Sequence, residues 1–153
     1  MLYWNNIQLS CKSQSNVFGI DRSFNAISVA KKTHRDNLDY FVADLMSDVF
    51  GKTKFDLILA LNVLELVEPQ DLIEHISKQI QKGIFVISDP YDFDRGKHSV
   101  KKTLNELTLR SSLEDLGFII SAKTKKPSHL TWNLKINSRS TLNYKVDFII
   151  AKK

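Results

Sequence analysis

Asn16-Val17-Phe18-Gly19-Ile20-Asp21-Arg22-Ser23 is a short apolar, β-branched run that stops at an acid. Ser23 then precedes Phe24, Ile27 and Ala30 at helical spacing, so the segment reads as strand, acidic turn and capped helix. In an open α/β sheet, ligands sit outside the carboxyl ends of the strands. A carboxylate at such a point offers two acceptor oxygens at the spacing of a ribose hydroxyl pair. Asp21 is therefore the best single candidate for a ribose contact. The competing use as a turn or helix-cap aspartate is weakened by Ser23, which can cap the helix instead.

The same pattern repeats along the chain. After the polar His34-Arg35-Asp36-Asn37, the segment Leu38 to Val42 reads as a second strand followed by another acid, Asp44. Gly51 to Lys54 is a loop, and Phe55 to Ala60 is a third strand, apolar enough on both faces to lie inside a parallel sheet. Pro69 opens a helix with Leu72, Ile73, Ile76 and Ile80 on one face, closed by Gly83. Ile84 to Ile87 is a fourth strand and Asp89 to Gly96 a loop. Leu104, Leu107, Leu109, Leu113 and Leu116 mark a helix stopped at Gly117. Phe118 to Ala122 is a fifth strand, and a polar stretch from Lys123 to Asn143 leads to a last strand, Tyr144 to Ala151. The order predicts an α/β, Rossmann-like, mostly parallel sheet flanked by helices, with a C-terminal antiparallel edge strand, in a single domain over 1–153.

Composition narrows the function. The five glycines are so scattered that neither GxGxxG nor GxxxxGK[ST] can be written, which excludes a complete glycine-rich phosphate loop. The lone Cys11 cannot form an internal disulfide and no secretory signal is evident, so a reducing, cytoplasmic setting is expected. The apolar run Leu57 to Val67 is interrupted by Asn62 and Glu65 and is far short of the ~20 residues that span a bilayer; no membrane association is expected. His34, His75 and His98 lack second ligands at metal spacing, so no metal site is expected. The net charge of +5 divides unevenly: residues 1–120 carry 14 basic and 16 acidic groups, residues 121–153 carry 8 and 1. Such a basic third either binds an anionic surface or is simply solvated.

Val17-Phe18-Gly19-Ile20-Asp21-Arg22-Ser23 resembles the V-x-G-I-D-x-S segment of class I S-adenosylmethionine-dependent methyltransferases, and further segments follow in order. Phe41-Val42-Ala43-Asp44-Leu45 is similar to the family's adenine-contacting acidic turn. Phe55 to Glu65 resembles its FDLV…N-V-L-E strand, Gln81-Lys82-Gly83 with Ile84 to Ile87 its L-x-x-G-G-x-x-V-I step, and Leu116-Gly117-Phe118 its L-x-x-x-G-F turn. The resemblance covers residues 16–153. It implies S-adenosylmethionine as cofactor, with Asp21 on the ribose hydroxyls, Arg22 beside the adenosine, Asp44 and Leu45 at the adenine, and Leu61 and Asn62 beneath the methionine end. The family's first strand, glycine-rich loop and most of its first helix should precede Val17 and are not found. Residues 1–15, with Leu2, Trp4, Ile7 and Leu9, are a remnant or replacement of the first helix or strand. Three explanations stand open: a fragment of a longer product, a homodimer or second chain that completes the sheet, or a closed-up sheet without a donor site.

Methyl transfer to an acceptor needs alignment and, for poor nucleophiles, removal of a proton. The loop Ser88 to Arg95 supplies Asp89 and Tyr91 as catalytic candidates. Trp132 and Arg139, in the long polar connection, are candidates for stacking on and pairing with an anionic or aromatic small-molecule acceptor; they belong to a stretch resembling the W-x-L…R…Y-x-V-D ending of some small-molecule or amino-acid-directed methyltransferases. Asp89-Pro90-Tyr91 resembles a nucleic-acid amino-methyltransferase motif imperfectly, and a nucleic-acid substrate is disfavoured. The rivals are a nicotinamide-dependent reductase fragment, opposed by the lack of any Tyr-x-x-x-Lys, and a non-catalytic Rossmann-like subunit whose basic C-terminal third binds a partner.

Overall fold

The computed structural model describes residues 15–33, 36–94, 96 and 99–153. The expectations for residues 1–14, Cys11, His34, Arg35, Arg95 and His98 lie outside these residues. The chain divides into two compact units, Met1–Gly51 and Lys52–Lys153.

In the first unit, β1 (Val17–Asp21) and β2 (Leu38–Val42) pair in parallel through α1 (Phe24–Ala30), with Val17 opposite Leu38 and Asp21 opposite Val42. Ser23 caps α1 as its spacing predicts: its hydroxyl accepts the Ala26 N–H at 3.2 Å, which satisfies one of the donors that every helix start leaves over. Gly19 is set by packing, because a Cβ there would lie 2.6 Å from the Tyr40 ring. Phe18, Phe41 and Phe50 form an aromatic cluster with centroids 5.6–6.3 Å apart.

The second unit contains β3 (Leu57–Leu61), a 3-10 turn (Leu64–Leu66), α2 (Pro69–Gln79), β4 (Ile84–Asp89), α3 (Glu106–Asp115), β5 (Ile119–Ile120), β6 (Leu130–Lys135) and β7 (Thr141–Lys152). Leu72, Ile73 and Ile76 of α2, Phe85 and Ile87 of β4, Leu109 and Leu113 of α3, and Ile149 of β7 are almost wholly buried and make the core. α3 starts in a capping box, with the Asn105 side chain accepting the Leu107 and Thr108 N–H groups at 3.0 and 2.9 Å and Thr108 Oγ1 accepting the Asn105 N–H. It ends in a Schellman turn: Phe118 N–H reaches the Leu113 carbonyl and Gly117 N–H that of Glu114, with Gly117 at φ +85°. Leu107, expected on the apolar face, is 65% exposed, because Leu109 and Leu113 already define the buried stripe.

The α/β class holds, with β3 and β4 parallel and β4, β7 and β5 antiparallel in sequence across the sheet. Two expectations are corrected. The antiparallel C-terminal strand is not at the edge: β7 lies between β4 and β5, and β5 takes the edge. The stretch Lys123 to Asn143 is not a long loop, since Leu130–Lys135 pairs with the first half of β7 as a hairpin, Trp132 opposite Tyr144. Among the described residues, the third strand pairs with β4 and β1 pairs with β2.

Candidate functional site

Asp21 closes β1. Its Oδ1 accepts the Ser23 N–H at 2.7 Å, a local turn that fixes the carboxylate and leaves its second oxygen for an outside hydroxyl. Asp44, two residues beyond β2, is built alike: Oδ1 accepts the Met46 N–H at 2.9 Å and its carbonyl accepts the Ser47 hydroxyl. Two parallel strands of one unit thus each end in an oriented acid. Arg22 is exposed and Leu45 half-buried beside them. These residue types suit a ribose and an adenine amino group, both of which donate to acceptors.

In the second unit, Leu61 ends β3, and the next residue, Asn62, adopts φ 54° while its N–H bonds the Ser88 carbonyl at 2.7 Å. Asparagine tolerates this left-handed backbone better than other side chains. Asp89, expected in a loop, is the last residue of β4 and only 1% exposed. Its Oδ2 accepts the Leu64 N–H at 3.0 Å and its Oδ1 the Tyr91 N–H at 2.9 Å. Tyr91 also sits at φ 54°, a strained conformation for a bulky residue. It is held there from both ends, because its hydroxyl donates to Asp147 Oδ2 at 2.9 Å.

Asp147 stands directly opposite Asp89 across β4 and β7. It is locked by Arg110 in a two-pronged pair, 2.6 Å from Nη1 and 3.0 Å from Nη2, and by the Ser128 N–H at 2.8 Å. The other Arg110 donors go to the carbonyls of Thr124, Glu106 and Lys126. Burial pushes the Asp147 carboxyl up, but the bonds from Arg110, Ser128 and Tyr91 outweigh it and hold it below the usual carboxylate range. Burial, and after it the Asp147 charge, pushes the Tyr91 phenol up. Tyr91 is therefore a hydrogen-bond donor locked in the fold, poorly suited to giving up its proton. Burial first, and then the charge of Glu65, raises the Asp89 carboxyl to about 7.

The structure brings Asp89 and Tyr91 together, as their sequence proximity predicts. Trp132 instead stacks on Tyr144, centroids 5.3 Å apart, whereas Arg139 lies in the exposed turn of the hairpin with its N–H on Asn137 Oδ1. The sequence reading overlooked Glu65, 5% exposed, and Arg110, 6% exposed. Glu65 had a visible signal, a charge inside the apolar run Leu64-Glu65-Leu66, whereas Arg110, between Leu109 and Ser111, had none. An open depression of about 310 Å³ lined by Lys54, Phe55, Asp56, Gln81 and Lys82 lies at the amino end of β3, opposite to the strand ends where ligands bind in such sheets. Among the described residues no group of three metal-ligating side chains occurs and no helix is long and apolar enough to cross a membrane.

A family model described as a methyltransferase domain matches residues 6–142. No curated protein matches the chain. Among solved structures, the chain is similar to magnesium protoporphyrin IX methyltransferase from Synechocystis PCC 6803 with bound S-adenosylmethionine, at 18% identity and TM-score 0.60, covering 90% of this chain and 59% of that one. It is similar to a chain of the Haloferax volcanii complex between the Trm112 methyltransferase activator and a methyltransferase, at 14% identity and TM-score 0.68, covering 90% and 71%. TehB from Haemophilus influenzae follows at 15% identity and TM-score 0.66, covering 90% and 50%. The chain thus spans about three fifths of the length of the Synechocystis enzyme. At these identities the structural likeness speaks for the fold, and the family model speaks for the lineage. The chain belongs to the methyltransferase domain family, with the α/β fold of class I S-adenosylmethionine-dependent methyltransferases.

Proposed function

We propose that the protein is an S-adenosylmethionine-dependent methyltransferase that holds the adenosine of its donor through Asp21 and Asp44 and acts on an anionic or aromatic small molecule. The observation that carries the reading is the half-buried Asp21 carboxylate, fixed through one oxygen by the Ser23 N–H at the carboxyl end of β1. S-adenosylmethionine, when bound, supplies a methyl group already activated on a sulfonium. The tasks left to the chain are binding and orientation. Asp21 accepts from the two ribose hydroxyls, Asp44 accepts from the adenine amino group, and Arg22 and Leu45 flank the adenosine. Leu61 and Asn62 are the residues proposed for the methionine end.

The acceptor reading is supported by the β6–β7 hairpin. Six cations and no acid fall between Lys123 and Lys145, and the Trp132–Tyr144 stack presents aromatic surface among them, a combination suited to planar anions. Asp89 and Tyr91, proposed from sequence as catalytic, are better suited to shaping the end of β4, given their burial and partners. A strand from a second copy or a second chain on the edge of β3 that is unpaired among the described residues is part of the proposal, because Leu57-Ile58-Leu59-Ala60-Leu61 carries none of the charges or prolines that protect a true edge.

Calorimetry with S-adenosylhomocysteine tests the donor site. The unmodified chain is expected to bind it, and Asp21→Ala to weaken it about 10²-fold, the loss of two hydrogen bonds to a charged acceptor at roughly 1.5 kcal/mol each. Equal affinity in the variant, or no binding by the unmodified chain, would overturn the reading. Sedimentation of the same sample reports whether a second copy is present.

A further inference from the structure

β6 and the first half of β7 form a two-stranded ribbon with two unlike faces. In an antiparallel pair, residues directly opposite each other lie on one face. Leu130 with Val146, Trp132 with Tyr144 and Leu134 with Leu142 therefore share one face, while Lys135 and Lys145 lie on the other among threonines and asparagines. The turn between the strands is closed by the Ile136 N–H on the Ser140 carbonyl at 2.9 Å. β4 ends where Asp89 meets Asp147, so the ribbon projects beyond the carboxyl end of β4. Among the described residues β6 packs mainly on β7, and a two-stranded ribbon is marginal in water unless something lies against its apolar face. The base of that face is covered, with Val146 buried. Farther out, Leu130 and Leu142 are 55% and 47% exposed, and Ile136, at the tip, is 54% exposed.

We propose that this ribbon docks on the surface of an anionic lipid bilayer, with its apolar face and tip entering the interface. Charge selects the occupant. Six cations and no acid fall between Lys123 and Lys145, and the one acid of residues 121–153, Asp147, is taken by Arg110 of α3. Two copies meeting through this face would bring their cations together, which opposes a second copy. The cations do not line the apolar face at set places: Lys135 and Lys145 leave from the polar face and Arg139 from the turn. A protein partner needs its carboxylates fixed opposite such charges, whereas a fluid lipid surface meets them wherever they fall. Their long stems cover apolar surface and carry the charge back to the lipid phosphates. Trp132 and Tyr144 join an apolar body to a polar tip, the chemistry that favours a membrane interface. Nucleic acid is a poorer fit, because the most exposed apolar side chains of the ribbon are aliphatic and offer bases no stacking surface.

The sequence expectation of no membrane association rests on the length of apolar runs. That length bears on a spanning helix; an element lying in the interface binds through apolar area and attraction to anionic lipid and needs no such run. The ribbon projects on the carboxyl side of β4, where ligands bind in such sheets. An anionic or aromatic acceptor dissolved in the bilayer surface is then met on that same side, a consequence that alone rests on the acceptor proposed above.

Co-sedimentation of the unmodified chain with vesicles of mixed phosphatidylserine and phosphatidylcholine, without donor or acceptor, is the test. Binding is expected, weakened by salt. Lys135→Gln should weaken it about fivefold, the worth of one cation near such a surface. Ile136→Asp should abolish it while leaving the urea midpoint unchanged, because the side chain it replaces is exposed. In a Trp4→Phe background, Trp132 emission should shift to the blue when vesicles bind. No binding to the anionic vesicles at low salt, equal binding to phosphatidylcholine alone, undiminished binding of Ile136→Asp, or an unmoved Trp132 emission would overturn the proposal. A dimer that Ile136→Asp dissociates would assign the face to a second copy and overturn it as well. Calorimetry with S-adenosylhomocysteine is read without lipid, so this proposal and the donor reading fail separately.

Discussion

Replacing Arg110 with methionine tests how the end of β4 is held together. The guanidinium uses its whole donor set: two N–H groups on Asp147, and the rest on the carbonyls of Thr124, Glu106 and Lys126. Methionine keeps much of the volume of the stem but leaves Asp147 as a carboxylate 4% exposed, with Tyr91 and Ser128 as its remaining donors among the described residues. Removing one partner of a buried pair costs about 3–5 kcal/mol, most of it the penalty of the charge left behind. A domain of this size has a total stability of roughly 5–15 kcal/mol, so the variant is expected to lose a large share of it. The assay is urea unfolding at pH 7, followed by circular dichroism, for Arg110→Met, Asp147→Asn and the double variant. The double variant should be more stable than Arg110→Met, since it no longer buries a lone charge. The pH dependence has a definite sign. Asp147 is held below the usual carboxylate range in the folded chain, so its contribution is present above that range and is lost as pH falls through the folded value. Arg110→Met should remove this acid-side loss. A cost under about 1 kcal/mol, the value of an exposed pair, or strict additivity of the two single changes, would refute the argument.

Two further outcomes concern backbone geometry. Gly83→Ala should destabilise by roughly 1–3 kcal/mol, because the added Cβ would lie 2.7 Å from the Asp56 carbonyl oxygen, which already accepts the Ile84 N–H at the start of β4; an unchanged urea midpoint would show that the strand ends can part freely. Asn105→Ala should cost about 1 kcal/mol through loss of the α3 cap, with Asn105→Asp close to neutral, and equal losses in both variants would point to packing instead of capping.

Much of the local structure was legible residue by residue. Leu38–Val42 is a strand with the bounds its apolar run predicts, and Ser23 and Gly117 end their elements by the chemistry of a hydroxyl cap and a left-handed glycine. Those signals are local, and the local chain obeys them. The hairpin strand Leu130–Lys135 was missed even though Leu130, Trp132 and Leu134 alternate with polar residues. One apolar face on a short ribbon is a weak signal, and here its pairing with Leu142, Tyr144 and Val146 is what makes it a strand. On sequence alone Asp89 falls past the apolar run Ile84 to Ile87, beside Pro90, and reads as a loop residue. Pairing with β7 extends β4 through it. Of the candidate site, the acids at the strand ends are visible from position, but Glu65 and Arg110 are not, because a buried charge becomes meaningful only once the packing around it is known.

By itself, the sequence determined the succession of elements, the acids that follow the first two strands, the absence of a glycine-rich phosphate loop and the family to which the pattern belongs. Periodicity, caps and turn residues act over a few neighbouring positions, so a linear reading reaches them. The tertiary structure decided that β7 enters between β4 and β5, that β1 and β3 each keep an open edge among the described residues, and that Arg110 pairs with Asp147 while Asp89 takes the Leu64 and Tyr91 N–H groups. Strand order and the pairing of buried charges join residues tens of positions apart, and their energies depend on exclusion from water, which exists only once the chain has packed.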